Sequence, residues 1–280
     1  MTARAEFATF WQGPLNALAY GCLASFAYFG VGLRLYSYDD GIDAPPGVEV
    51  ADARQICPDR SLLRRYRVAG KPSLATFADM FRYKLIRQTG CCWVDADIVC
   101  LREPDFSRDA VVFGRQPDFN GPGLINNAVL KLPPDHPLLA ELIEHADAVV
   151  DTDQSWGAIG PFLLTELAAK HGIADRARDF TQFYPVEPDH FWKPLSPPWR
   201  ADVAAETQDA TFLHLWGELF ERAAYDKSAA PPAGSFLHDA FQRIGTIDRF
   251  QRVYGERELR DLLAKWTDGD RKPDLKAHSS

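Results

Sequence analysis

The chain has 280 residues, of which 46% are hydrophobic and 12% aromatic, so it can bury a sizeable core and does not have a disordered composition. Its formal net charge is −8, which argues against broad nucleic-acid binding because that function needs a basic face. The five cysteines include no CxxC pair and lie in apolar settings, which is typical of reduced, buried thiols in a cytosolic protein.

Strands and helices are expected to alternate along the chain. The strands are predicted at residues 7–11, 33–38, 91–101, 110–114, 124–132 and 211–215. The helices are predicted at residues 14–29, 74–88, 138–149, 158–170, 236–243 and 256–266. This alternation predicts an α/β fold around a largely parallel sheet, with ligands bound at the carboxyl ends of its strands.

Local signals mark the ends of two of these helices. Pro14 lies near the expected start of the first helix, where its missing N–H costs nothing. Ser73 is the expected N-cap of the helix at 74–88, and Gly90 is expected to end that helix. Residues 1–16 lack the regions of a signal peptide, and the stretch 15–35 is too polar for a membrane span, so a cytoplasmic location is expected.

Two aspartates interrupt the apolar stretch CCWVDADIVCL at residues 91–101. Asp95 and Asp97 are one residue apart, so in a strand their side chains point to the same side. Two such carboxylates repel each other unless a cation lies between them or one is protonated. Carboxylate oxygens suit Mn²⁺ or Mg²⁺, and such an ion can hold a diphosphate. The pattern alone also fits two exposed aspartates in a turn.

The same residues permit a second enzyme class. DADIV fits the DxDx[TV] motif of haloacid-dehalogenase-type phosphatases, in which the first aspartate attacks phosphate. Residues 269–274 (GDRKPD) fit the metal motif of those enzymes. Against this reading, residues 269–274 follow a helix-like segment, and about 90 residues precede a strand that should be the first of its domain.

Asp79 and Arg82 lie three residues apart on the predicted helix and therefore share a face. An ordinary surface ion pair would explain them equally well. Together with the turn and the D-x-D that follow, however, the segment FADMFRYKLIRQTGCCWVDADIV resembles the donor-binding core of glycosyltransferase family 32, which contains DXD-dependent α-1,4-galactosyl- and mannosyltransferases of the GT-A fold. The resemblance extends to the opening block at 8–39 and to the later blocks NNAVLKLPPDHPLL, WGAIGPFLLTE and FLHLWGELF. Cys91-Cys92 departs from the usual Gly-Gly of the family.

The resemblance implies a role for each matching residue. Asp97 would ligate the ion, Asp95 would touch ribose or sugar, and His214 would complete the metal shell or meet the diphosphate. Asp79 and Arg82 would hold the sugar hydroxyls and ribose. The remaining donor-binding residues would be Trp11 on the base, Trp216 over the diphosphate, and Asn126 and Asn127 along the transferred sugar. Asp153, Gln154 and Gly160-Pro161 would border the acceptor, whereas Asp118 and His190 receive no role.

We therefore expect one GT-A-like domain with a core at about 6–220, a helical extension at 221–266 and a flexible tail at 267–280. The expected cofactor is Mn²⁺ or Mg²⁺, and the expected donor is a nucleotide-sugar, above all a UDP-sugar. The resemblance implies a retaining transfer to a glycan or lipid-linked glycan. Membrane contact would be peripheral, through Arg64, Arg65 and Arg67. A non-catalytic carbohydrate- or nucleotide-binding domain is the alternative of a different class.

Overall fold

A computed structural model describes residues 6–117 and 123–267 of the chain. Asp118, residues 269–274 and the expected tail beyond residue 267 lie outside the described residues. The α-helices within the described ranges are α1 (Ala17–Tyr28), α2 (Leu74–Thr89), α3 (Pro137–Ala148), α4 (Pro161–Lys170), α5 (Phe180–Phe183), α6 (Arg200–Glu206), α7 (Gly217–Arg222), α8 (Phe236–Ile244) and α9 (Glu256–Thr267). The strands are β1 (Phe7–Phe10), β2 (Leu33–Ser37), β3 (Val48–Asp52), β4 (Arg67–Val68), β5 (Lys71–Pro72), β6 (Cys92–Val94), β7 (Ile98–Cys100), β8 (Val112–Arg115), β9 (Ile125–Lys131), β10 (Asp153–Gln154), β11 (Phe212–His214), β12 (Ala229–Ala230) and β13 (Arg252–Val253).

A six-stranded sheet in the order β3-β2-β1-β6-β9-β8 organises the fold. The ladders β3–β2, β2–β1 and β1–β6 are parallel, whereas β9 runs antiparallel to both of its neighbours. Helices flank this sheet, so the predicted α/β fold with a mostly parallel sheet is confirmed. The carboxyl ends of β1, β2 and β6 meet at one edge, and Asp95 follows directly after β6 at that edge.

Alternating side chains on the strands bury the two faces of this sheet against different helices. Leu33 and Leu35 pack with Leu23 and Phe26 of α1. Tyr36 faces the other way, with its ring 6.0 Å from that of Phe81 on α2. All five cysteines are buried and free, as the sequence predicts. The sheet is therefore covered on both faces, and Asp95 lies at the carboxyl ends of its parallel strands.

Helix α2 begins and ends as predicted. The Ser73 hydroxyl accepts a hydrogen bond from the Thr76 N–H, and Gly90 closes the helix in the left-handed region at φ 69°. The predicted start of α1 is wrong: this helix begins at Ala17, because the side chain of Asn16 caps it by accepting from the Ala19 N–H. The start of α4 is also later than predicted, since residues 158–160 form a turn before Pro161.

The segment 91–101, predicted as one strand, is two strands. β6 belongs to the six-stranded sheet, whereas β7 pairs antiparallel with β11 in a separate two-stranded ladder. The turn 95–97 between them carries both aspartates. In the β7–β11 register Ile98 lies opposite His214, so a histidine 117 residues farther along the chain is brought beside Asp97. The edge strand β3 was not predicted.

Candidate metal centre and its cleft

The turn that carries the two aspartates is fixed by backbone hydrogen bonds. The Asp95 N–H donates to the Ala128 carbonyl at 2.8 Å, which continues the contact between β6 and β9. The Ile98 N–H donates to the Asp95 carbonyl at 3.1 Å and closes the turn. The Leu215 N–H donates to the Asp97 carbonyl at 3.1 Å. Both carboxylates are thus held at the junction of two ladders, and each has its own set of partners.

Asp97 is held by the residues that follow β11. Its Oδ2 accepts a hydrogen bond from the Gly217 N–H at 2.7 Å and lies 3.3 Å from His214 Nε2. Trp216 adopts a left-handed conformation at φ 55°, which is costly for a non-glycine residue and turns the chain from β11 into α7. Burial by itself would raise the pKa of Asp97, but the charge of His214 and the hydrogen bonds outweigh it and lower that pKa to about 2.

Asp95 has different partners. Its Oδ1 accepts a hydrogen bond from the indole N–H of Trp93 at 2.7 Å and lies 3.2 Å from Arg82 Nη1. The Arg82 guanidinium carbon in turn lies 4.9 Å from the centre of the Trp93 ring. A cation and an indole therefore orient Asp95, and these are short, charge-assisted contacts.

Arg82 lies at the centre of a buried network, with 5% of its side chain exposed. Its Nη2 lies 3.0 Å from Asp79 Oδ1, and its Nη1 donates to the Asn127 carbonyl at 2.5 Å. Its Nε donates to the Ala78 carbonyl at 3.3 Å. The surface ion pair that remained open for Asp79 and Arg82 is therefore wrong. Breaking a buried pair of this kind typically costs about 3–5 kcal/mol, because it leaves an uncompensated charge.

Asn127 and Tyr83 complete this network. The Asn127 amide donates to Asp79 Oδ1 at 2.8 Å and to the Tyr83 hydroxyl at 3.3 Å. The Tyr83 hydroxyl donates to the Ile159 carbonyl at 2.7 Å. Burial raises the pKa of Asp79 to about 6, against the opposing effects of Arg82 and Asn127. Asp79 therefore still carries most of its charge at neutral pH.

Asp95, Asp97 and His214 each present a possible ligand atom, and these atoms lie within 4.8 Å of one another. Two carboxylate oxygens and an imidazole nitrogen suit a divalent cation of the manganese or magnesium type. His214 Nε2 is the ring nitrogen nearer to Asp97, at 3.3 Å from its Oδ2, so the two possible ligand atoms are adjacent. Its buried Nδ1 has no hydrogen-bond partner among the described residues, so the support usual for a ligating histidine is missing. The donor set fits the ion, but it does not identify the metal.

One cleft of about 250 Å³ collects most of the predicted site residues. Its lining includes Asp79, Arg82, Asp95, Asp97, Asn126, Asn127, His214 and Trp216. Pro161 also lines it, and a Cβ added to Gly160 would lie 2.8 Å from Asp79 Oδ2, so this segment abuts the network.

Three predicted residues do not line the cleft. Trp11 follows β1 and donates its indole N–H to the Pro14 carbonyl at 3.2 Å, and it is not among the described residues that line the cleft. Asp153 and Gln154 form β10, which pairs with β4, and they do not line the cleft either. His190, which received no role, lies 3.0 Å from Glu187.

The cleft also contains residues to which the sequence analysis assigned no role. The Gly217 N–H donates a hydrogen bond to Asp97 Oδ2. A Cβ added to Gly217 would lie 3.0 Å from the same oxygen. Glu218 and Arg222 pair at 2.5 Å one turn apart on α7. Gly217 and Glu218 belong to the HLWGELF block, so that block was the sequence signal from which their place in the site could have been predicted. The remaining lining residues are Ala75, Thr76, Gln116, Trp156, Gly157, Pro188 and Leu219.

Comparisons with known proteins give fold-level likeness only. No protein-family model and no curated protein sequence matches the chain. Among solved structures, it is similar to the PaToxG glycosyltransferase at 11% identity and a TM-score of 0.41, covering 94% of this chain and 84% of that one. It is also similar to the glycosyltransferase GlyE of Streptococcus pneumoniae TIGR4, at 12% identity with TM-scores of 0.44 and, for the apo form, 0.42. The match covers 94% of this chain but 64% of each GlyE chain, just under two thirds. Likeness this distant does not identify the reaction of this chain.

Asp95 faces Arg82 and Asp97 faces His214, so each carboxylate has a partner other than its neighbour, and mutual repulsion need not strain the metal-free fold. We therefore predict that Asp97→Asn lowers the free energy of unfolding. A folded pKa of about 2 against an ordinary 3.8 corresponds to about 2 kcal/mol. Because the folded pKa is the lower one, this difference should be full above about pH 4 and vanish toward pH 2.

The measurement is urea denaturation in chelator at pH 5 and pH 3, with Asp40→Asn on the exposed surface as the matched control. Equal or greater stability of Asp97→Asn at pH 5 would restore the repulsion interpretation.

Proposed function

We propose that the chain is a metal-dependent glycosyltransferase that moves a sugar from a nucleotide-sugar to a hydroxyl acceptor. The observation that carries this proposal is that one cleft contains both the Asp95–Asp97–His214 group and the buried Asp79–Arg82–Asn127 network. The Asp95–Asp97–His214 group suits a divalent ion, which in turn can bind a diphosphate. The Asp79–Arg82–Asn127 network offers fixed carboxylate and amide groups that can hydrogen-bond sugar hydroxyls.

The reaction has a simple balance. The acceptor oxygen bonds to the anomeric carbon, the bond from that carbon to the diphosphate breaks, and the electron pair stays on the diphosphate. The acceptor proton leaves with the diphosphate. The Asp95–Asp97–His214 group would hold a divalent cation, which would stabilise the charge of that leaving group.

The protein groups divide the remaining work. Asp97 and His214, together with Asp95, would hold the ion, and Asp95, oriented by Arg82 and Trp93, would also reach ribose or sugar. Asp79, Asn126 and Asn127 hydrogen-bond the transferred sugar. Trp216 covers the diphosphate. Trp11 lies outside the lining of the cleft, but it follows β1, which runs parallel to β6, and we assign to it the base of a UDP-sugar.

Retention of the anomeric configuration is part of the proposal. The carboxylates that line the cleft within the described residues are Asp79, Asp95, Asp97 and Glu218, and each lies within 3.3 Å of an arginine or histidine nitrogen. Because each is already engaged in such a contact, we favour a front-face route over a covalent glycosyl-enzyme.

A phosphatase reaction with Asp95 as nucleophile is the second candidate. It is disfavoured because Asp95 Oδ1 is occupied by both Trp93 and Arg82. A non-catalytic binding domain would use the same cleft without turnover. The experiment below separates these outcomes.

A lipid-linked acceptor would require peripheral contact with a membrane surface. Within the part of the chain that the structure describes, no helix has the length and hydrophobicity to cross a bilayer. Arg65 is already bound to Asp151, with Nε 3.0 Å from Oδ1. Arg64 and Arg67 are exposed, and no described carboxylate pairs with either, so we assign any such contact to these two.

The first prediction of this proposal is that a nucleotide-sugar is hydrolysed only with a divalent ion. The assay is a panel of UDP-, GDP-, ADP- and TDP-sugars with Mn²⁺, Mg²⁺ or chelator, measuring release of the nucleoside diphosphate. Asp97→Ala and His214→Gln should weaken Mn²⁺ binding at least tenfold. The control is His190→Gln, which leaves the cleft intact.

Full hydrolysis in chelator would refute the metal part of the proposal. Cleavage of a phosphate monoester with a phosphoryl adduct on Asp95 would support the phosphatase instead. Tight binding of a nucleoside diphosphate without turnover of any donor would support the binding domain.

A second prediction concerns Arg82→Lys. Lysine keeps the charge but cannot contact Asp79, Asp95 and the Asn127 carbonyl together. We expect the catalytic efficiency of donor turnover to fall about 30- to 1000-fold, equivalent to about 2–4 kcal/mol of lost positioning. The affinity for the bare nucleoside diphosphate with metal should fall about threefold or less. Arg82 positions Asp79 and Asp95 and does not contact the diphosphate itself in this proposal.

The control is Arg87→Lys on the exposed end of the same helix. Equal losses in diphosphate affinity and turnover would mean that Arg82 binds the nucleotide directly, and unchanged turnover would remove it from the site.

A further inference from the structure

The groups that line the cleft have a fixed order in space. His214 lies beside Asp97, whose ligand atom is within 4.8 Å of that of Asp95. Asp95 contacts Arg82 at 3.2 Å, and Arg82 contacts Asp79 at 3.0 Å. Asp79 in turn abuts Gly160, at the end of the turn 155–160. If the ion and diphosphate occupy the His214 end and the sugar occupies the Asp79 end, the turn 155–160 lies beyond the sugar.

This turn is rigidly attached to the site. The Ile159 carbonyl accepts the Tyr83 hydroxyl, which also accepts from Asn127. Gly157 has φ 73°, a conformation that favours glycine, and its carbonyl accepts from the Gly160 and Phe162 N–H groups at 3.0 and 3.3 Å. The backbone at 155–160 is therefore held in one position relative to the sugar-binding network.

Trp156 projects from this turn and lines the cleft. Its ring is half-buried and lies 6.2 Å from the exposed ring of Phe162, at 87°, so an edge-to-face contact supports it. No described residue accepts a hydrogen bond from its indole N–H. Trp216, the other indole of the cleft, is already engaged, because its N–H donates to the Val186 carbonyl at 2.9 Å and its ring lies 4.1 Å from that of His214.

We infer that Trp156 is the acceptor platform, and that the acceptor presents a pyranose ring which stacks on the Trp156 indole. The C–H face of a pyranose is apolar and complements the negative face of an aromatic ring, while an indole N–H can donate to a ring hydroxyl. Stacking there places an acceptor hydroxyl toward Asp79 and the transferred sugar. This assignment rests on the proposed function, and it names a carbohydrate as the group that receives the sugar.

The test uses the full chain with Mg²⁺ and UDP, and a panel of methyl pyranosides as the probe. Binding is measured by saturation-transfer NMR, and donor hydrolysis is measured in the same preparations. We expect Trp156→Ala to weaken pyranoside binding at least tenfold, and by at least ten times more than it slows donor hydrolysis. Trp156→Phe, which keeps an aromatic face, should lose less. Trp199→Ala, at an exposed tryptophan outside the cleft, is the control and should bind within twofold of the wild type.

Three results would decide the matter. Wild-type protein that hydrolyses a donor but binds no methyl pyranoside overturns the platform and leaves the proposed function intact. Unchanged pyranoside binding by both Trp156 variants overturns it as well. Pyranoside binding that depends on Trp156, without hydrolysis of any nucleotide-sugar, would keep the carbohydrate site but refute the transferase.

Discussion

The site depends on one buried cation. Arg82 lies between Asp79 and Asp95 and donates to the backbone of Asn127, so it connects α2, the end of β6 and β9. A desolvated guanidinium is stable only when its N–H groups are matched, and here four contacts use Nε and both terminal nitrogens. The same contacts fix the carboxylates of Asp79 and Asp95 in space. The contacts that the buried Arg82 requires therefore also position the polar groups that line the cleft.

Arg82 also explains why two aspartates one residue apart coexist in an apolar environment. Asp95 is paired with Arg82 on the α2 side, whereas Asp97 lies beside His214 and accepts a hydrogen bond from the Gly217 N–H on the β11 side. Each carboxylate therefore has its own partners in the fold before any metal binds. In our account Asp95 and Asp97 are therefore already positioned before a cation binds, and the cation does not have to bring them together.

Much of this arrangement could be predicted from the sequence where the signal was local. Ser73 and Gly90 mark the ends of α2, and helical spacing puts Asp79 and Arg82 on one face. The pattern could not show that this face is buried, because that depends on Trp93 and Asn127 from other strands. The split of residues 91–101 into two strands depends on pairing with β11, more than 100 residues away. The block WGAIGPFLLTE begins with Trp156, but the sequence could not place that side chain in the cleft, because its position follows from a turn anchored by Tyr83.

The central claim is that Asp95, Asp97 and His214 share one divalent ion that faces a diphosphate. Crystals of the protein grown with Mn²⁺ and UDP test it most directly, by anomalous scattering at the manganese edge. The account predicts one strong peak in contact with Asp95, Asp97 and His214, adjacent to the diphosphate, with Asp95 still paired to Arg82. A peak elsewhere, or a bound diphosphate with no metal between it and these residues, would contradict the account.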